Sequence, residues 1–155
     1  MQASEKRKIE FDQRLEQSKT LLDNSRIVEA EKNTEKILED FPDNAEALYV
    51  LAVCQRYLNR LEEALKTLKN LKQIRPGYGR AFQEEGHVCV KAGYISQAKS
   101  AYRHAVNLNN SLIASWAGLT KILKSEGNKE NAKITEHEYK KLQALPQSLA
   151  VKEVL

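Results

Sequence analysis

Apolar positions recur at steps of three and four residues over almost the whole chain. That spacing puts side chains on one face of an α-helix. Short polar intervals interrupt the pattern, and the intervals are themselves regular. Ser25, Asn59, Gly93 and Gly127 stand 34 residues apart, as do Ala30, Ala64, Ala98 and Ala132. The register divides the chain into 11–44, 45–78, 79–112 and 113–146. Other rows then align. Leu48, Phe82 and Trp116 form a row of large residues, with Arg14 the exception. Ser18, Ala52, Gly86 and Thr120 form a row of mostly small ones. Ile27, Leu61 and Ile95 make an apolar row that Lys129 breaks, and Ile37, Leu71, Ala105 and Tyr139 make another. Pro42 and Pro76 match, and Asn110 takes their place in the third unit. Several residue classes recurring at one spacing across four units define an internal repeat.

Each unit reads as two helices joined by a tight turn. The pattern predicts helices near 8–24, 27–40, 45–58, 61–74, 79–92, 95–108, 113–126 and 129–143. The turn row marks the short turn inside each unit. Asn59 with Glu62 three residues later resembles a capping box opening the second helix of unit two. Pro42 and Pro76 fall where helix must stop before the next unit. The alanine row and the small residues Ala52 and Gly86 let paired helices approach closely. The large row fills the space toward the neighbouring pair. One pair cannot bury its own apolar face, so stability comes from stacking pairs.

Composition fits this reading. The chain has 155 residues, 30% of them charged and 41% hydrophobic, with only 6 Gly and 3 Pro. Its mean hydropathy is −0.60. These values argue against a β-sandwich, a collagen-like chain or a linker-rich one. The opening MQASEKRKIEF has no apolar core and does not read as a signal peptide. No apolar run approaches the length of a membrane span. Cys54 and Cys89 sit inside apolar helical stretches without CxxC spacing and read as reduced packing residues. A cytoplasmic location is therefore expected.

The resemblance these rows carry is to the tetratricopeptide repeat, in which 34-residue helix–turn–helix units stack. It covers about 11–146 and is most faithful in 79–112, through Phe82, Gly86, Gly93, Ala98, Tyr102, Ala105 and Leu108. It is weakest in 11–44, where Arg14 and Gln17 replace apolar residues and the unit reads as a polar cap. The resemblance implies an all-α, right-handed superhelix (an α-solenoid) of about four units. Residues 1–10 are then an N-terminal extension running into the first helix, and 147–155 a tail reading as the start of another helix.

The resemblance further implies a protein-binding scaffold whose first helices line a concave groove. Residues on that face are Leu15, Lys19 and Leu22 in unit one, and Tyr49, Val53 and Arg56 in unit two. Unit three offers Arg80, Gln83, His87 and Lys91, and unit four Ala117, Lys121 and Lys124. The basic residues among them suit an acidic or carboxylate-bearing peptide. Val50 and Val53 stand where the asparagines of chaperone-tail clamps are expected, and Glu84 occupies a basic place of such clamps, so chaperone tails are not implied.

A narrower resemblance runs through 75–88, 107–119 and 137–149, which look like the repeat region preceding a sulfotransferase domain in bacterial proteins. It implies a docking or dimerisation region of a longer protein whose catalytic domain this chain lacks. The apolar residues Leu142, Leu145, Leu149, Val151, Val154 and Leu155 then dock back on unit four, pair two chains, or continue into further repeats.

No catalytic constellation is legible, and no cofactor or metal is expected. His87, His104 and His137 fall in three different helices, and His137–Glu138 lacks the second histidine of a zinc motif because position 141 is Lys. Gly77–Tyr78–Gly79 is a turn, not a phosphate loop. The net charge of +4 is unevenly spread. Residues 1–44 hold 8 basic and 11 acidic side chains, a net −3, and 45–155 hold 17 and 10, a net +7. No long run of like charge accompanies it, so a nucleic-acid partner is disfavoured.

Overall fold

The computed structural model describes residues 2–146, which form eight α-helices and no strand. They are α1 Ala3–Asp23, α2 Ile27–Asp40, α3 Ala45–Tyr57, α4 Leu61–Ile74, α5 Gly79–Ala92, α6 Ile95–Leu108, α7 Ile113–Ser125 and α8 Lys129–Gln143. The limits follow the periodicity closely. The exception is α1, which starts at Ala3 rather than near position 8. Its first turns carry exposed, mostly polar side chains and no Gly or Pro, so nothing in their sequence stops the helix. The expected extension of the 147–155 tail lies outside the described residues.

The turn row explains the 34-residue punctuation. Ser25 and Asn59 both have φ 61°, Gly93 has φ 85° and Gly127 has φ 76°. All four are left-handed residues just past a helix. At each, the turn residue's N–H and the next residue's N–H donate back into the helix. The pairs are Ser25 to Leu22 and Arg26 to Leu21, and Asn59 to Arg56 and Arg60 to Gln55. The same holds for Gly93 to Val90 and Tyr94 to Cys89, and for Gly127 to Lys124 and Asn128 to Leu123. This pair of hydrogen bonds satisfies carbonyls that a helix end leaves open. Asn59 is thus a helix-stop residue. It does not open α4, as its spacing to Glu62 led us to expect. That helix begins after Arg60, whose carbonyl accepts from Ala64 N–H at 3.0 Å.

Only glycine takes φ near +60° without crowding its Cβ, and the crowding costs about 1–2 kcal/mol in other residues. Ser25→Gly should therefore raise stability by about 0.5–1 kcal/mol after the added chain freedom of the unfolded state is counted. Urea titration measures it, and a destabilised Ser25→Gly would contradict the assigned turn. Asn59→Gly should gain less, because asparagine tolerates this region.

Two compact units divide between Ile74 and Arg75. In the first, α1 to α4 pack in succession around Leu15, Leu22, Ile37, Leu48, Leu68 and Leu71. Ala30 and Ala64 are fully buried where the second helix of each pair meets the first. A polar knot joins α1 to α2. Asn33 Nδ2 donates to Ser18 Oγ at 2.7 Å and to the Arg14 carbonyl at 3.1 Å, and the Thr34 hydroxyl lies 3.0 Å from Ser18 Oγ. Arg14, the exception in the large row, reaches Asp40 at 2.8 Å. The buried Glu31 carboxylate receives Arg60 Nη1 on both oxygens, at 2.8 and 2.7 Å, which gives that buried charge its counterion.

In the second unit, α5 to α8 pack in succession around Val88, Tyr102, Leu112, Leu119, Leu123, Ala98 and Ala132. Phe82 stacks on His104 with ring centroids 4.0 Å apart, and Trp116 Nε1 donates to the Asn110 carbonyl at 2.9 Å. Thr120 and Thr135 join α7 to α8 through their hydroxyls at 2.7 Å. Cys89 here and Cys54 in the first unit are both buried, as their apolar settings predicted.

Candidate functional site: a cleft between α5, α6 and α7

Tyr102 on α6 lays its ring between α5 and α7. A Cβ on Gly86 would come within 2.4 Å of that ring, and one on Gly118 within 2.5 Å. Two glycines inside helices are otherwise unfavourable. Here they admit an aromatic ring that no side-chain-bearing residue would leave room for. The ring makes the floor of a cleft of about 490 Å³. Its hydroxyl lies 2.7 Å from His87 Nδ1, and the two rings meet edge to face with centroids 5.4 Å apart. The walls come from Val90 on α5, Ile95 on α6 and Ala114, Ala117, Lys121 and Ile122 on α7.

The cleft is apolar with one cation at its side. Val90 and Ile95 remain 41% and 39% exposed, and Tyr94 in the turn between them 47%. Lys121 is the charged lining residue and makes no ion pair among the described residues. No carboxylate lines the cleft. Its neighbours are different. Lys124 Nζ pairs with Glu136 at 3.2 Å, and Lys140 stands 3.6 Å from the same oxygen. The hydrogen bond and charge of Lys124, with Lys140 behind, hold the Glu136 carboxyl below its ordinary value. Glu136 therefore stays ionised as pH falls into the usual carboxylate range, and it keeps Lys124 engaged there.

The residues chosen from the sequence divide sharply. His87, Lys121 and Ala117 meet at the cleft. Tyr49, Val53, Leu15 and Leu22 do not serve a groove: all four are buried in the first unit's core. The helical step that singled them out also describes α3, nine of whose residues are buried, so a face alone does not separate groove from core there. Gln83 is likewise buried, and its Oε1 accepts from Ser115 N at 3.0 Å and Ser115 Oγ at 2.8 Å. Leu112, which precedes α7, offers no side-chain cap, so Gln83 performs that service from α5. Lys19 is half-buried and bonded to Glu46 on α3. Arg56 covers the Tyr57 ring at 4.6 Å. Arg80 is half-buried in the first turn of α5, and Lys91 and Lys124 are exposed at the ends of α5 and α7. None of these three lines the cleft.

Sequence reading missed Tyr102, Gly118, Val90 and Ile95 as site residues. A signal existed for two of them. Glycine inside an otherwise regular helix pattern asks for a close neighbour, and Gly86 and Gly118 share one, Tyr102. Among the described residues, no group of His, Cys, Asp and Glu is placed to hold a metal ion. None of the helices there is long and apolar enough to cross a membrane.

Paired helices, with a left-handed stop recurring at each 34-residue step, define a helical-repeat protein. The chain carries tetratricopeptide repeats: profiles of that family match residues 21–85 and 79–112. Solved structures agree on the fold. A thermophilic tetratricopeptide-repeat protein of Thermus thermophilus superposes with TM-score 0.77 at 22% identity, over 88% of this chain and 76% of that one. MamA from Desulfovibrio magneticus superposes with TM-score 0.67 at 18% identity, over 90% and 77%. An O-GlcNAc transferase of Thermobaculum terrenum matches with TM-score 0.70 at 21% identity, over 73% of this chain and 22% of that one. A search of curated protein sequences finds no match.

Proposed function

We propose that this chain is a non-catalytic protein-interaction module that holds an extended, carboxylate-bearing segment of a partner protein in the α5–α7 cleft. The observation that carries the reading is the cleft itself, an apolar hollow with Lys121 beside it and His87 fixed by Tyr102. Repeat folds present extended concave surfaces, and an extended segment reads such a surface through side-chain pockets. The lysine without an acidic partner in the cleft supports the negative character of the occupant. The sequence-based surplus of groove cations supports it less, because Lys19 and Lys124 are spent on Glu46 and Glu136.

Ala117→Trp tests the reading, since Ala117 lines the cleft and is half-buried. Peptides selected from a random display library against the unaltered protein should bind it and lose at least about tenfold in affinity for Ala117→Trp, with helicity and melting unchanged. Equal binding to both proteins would move the site elsewhere.

The stretches 75–88, 107–119 and 137–149 support a second reading, in which the repeats dock or pair a sulfotransferase within a longer protein. An immunoblot of native lysate tests it: a band well above 17.7 kDa with transfer activity that depends on the sulfuryl donor PAPS supports it, and a band at 17.7 kDa overturns it.

A further inference from the structure

The cleft's chemistry is more specific than an electropositive groove, and resting on the reading above, we infer that its main determinant is one large apolar side chain of the partner. The side chain packs against Val90, Ile95 and Ala117 above the buried Tyr102 ring, and an acidic side chain next to it in the partner's sequence reaches Lys121. The occupant is thus an extended segment pairing an aliphatic or aromatic residue with an adjacent Asp or Glu.

Three observations carry this. First, the hollow of about 490 Å³ has room for a large side chain, and the buried ring beneath it is held in place on both faces. Gly86 and Gly118 admit the ring, and the His87 contact at 2.7 Å fixes its hydroxyl end. A preformed, rigid floor spares the ordering that binding otherwise costs. Second, three of the exposed large apolar side chains of the second unit gather at this cleft, while Leu108, Ile134 and Leu145 lie away from it. Val90 and Ile95 line the cleft, and Tyr94 sits in the turn that joins them. Burying these groups on an apolar anchor is where most of the affinity arises, because a few buried contacts dominate such interfaces. Third, the cleft supplies one lysine and no carboxylate, so charge complementarity asks for one acid. A charge pair at a cleft rim sets register and discrimination more than affinity.

The test uses an array of extended synthetic peptides with blocked ends. Each carries one central Leu or Phe followed by Asp, Asn or Lys, and a matched set has the central residue replaced by Ala. Binding is measured by fluorescence anisotropy to the intact chain, to Ala117→Trp and to Lys121→Glu. The apolar–acidic peptides should bind best. Alanine at the anchor should cost about a hundredfold, the scale of a buried anchor. Asn for Asp should cost about tenfold or less, the scale of a rim charge. Lys121→Glu should reverse the preference from Asp to Lys and leave the anchor's effect in place.

Loss of all binding to Ala117→Trp with no dependence on the anchor would overturn the inference and spare the wider reading. Binding that ignores Ala117→Trp would overturn both. A demand for a free peptide C-terminus would overturn the assignment to an acidic side chain. Concentration-dependent dimers in light scattering that dissociate in Ala117→Trp would give the cleft to a second copy of this chain and likewise overturn it.

Discussion

Tyr102→Ala is expected to destabilise the protein by about 3–5 kcal/mol, the range for removing a buried aromatic side chain. Tyr102 is 2% exposed, and its ring is flanked by glycines on two helices. Neither glycine has a side chain to swing into the space, and the bond from Ser115 to Gln83 fixes α7 against α5. The void therefore persists, and persistent cavities give the upper part of the range. Tyr102→Phe keeps the ring and loses the contact to His87 Nδ1, so it should cost about 1 kcal/mol. Guanidinium titration distinguishes the two variants. An alanine variant within about 1 kcal/mol of the parent would contradict the ring's part in the packing. Tyr102→Phe should leave the cleft's shape and its apolar peptide binding intact.

The second large effect concerns sign as well as size. Helix propensity alone says that Gly86→Ala and Gly118→Ala should each stabilise by about 1 kcal/mol. Packing says the opposite. The added Cβ would stand 2.4 and 2.5 Å from ring atoms of Tyr102, distances no methyl group sustains. Overpacking of this kind costs about 1–3 kcal/mol, so packing outweighs propensity and both variants should melt earlier. Gly86→Ala combined with Tyr102→Leu should recover part of the loss, because the two changes relieve each other. A more stable Gly86→Ala would show that the ring moves aside at little cost, and the floor of the cleft would then not be rigid.

Much of the fold was legible because two signals coincide at every repeat. One is the three-to-four spacing that makes each helix. The other is the stop residue at Ser25, Asn59, Gly93 and Gly127, whose left-handed backbone ends the first helix of each pair. Even where serine and asparagine replace glycine, the row is kept, so the alignment found turns that composition alone would not. What misled was a short-range coincidence: Asn59 and Glu62 have the spacing of a helix start, yet Asn59 closes the preceding helix.

The site was legible only in part, for a physical reason. Spacing assigns a residue to a helix face, and it cannot say what stands opposite. Tyr49, Val53 and Gln83 lie at groove-like steps and face the core. Lys19 and Lys124 look like groove charges until Glu46 and Glu136, 27 and 12 residues away, are seen to neutralise them. His87 and Lys121 do line the cleft, because both stand on the open side of first helices. The partner they share, Tyr102, comes from a second helix, which the periodic reading assigned wholly to packing.

The most direct test of the account is a two-dimensional amide NMR titration of the intact chain with an apolar–acidic peptide from the array. Saturable shifts should concentrate at Val90 and Ile95 and at Ala114 to Ile122, with the His87 ring signals moving in step. Shifts confined to α1 through α4, or spread evenly over the surface without saturation, would contradict it.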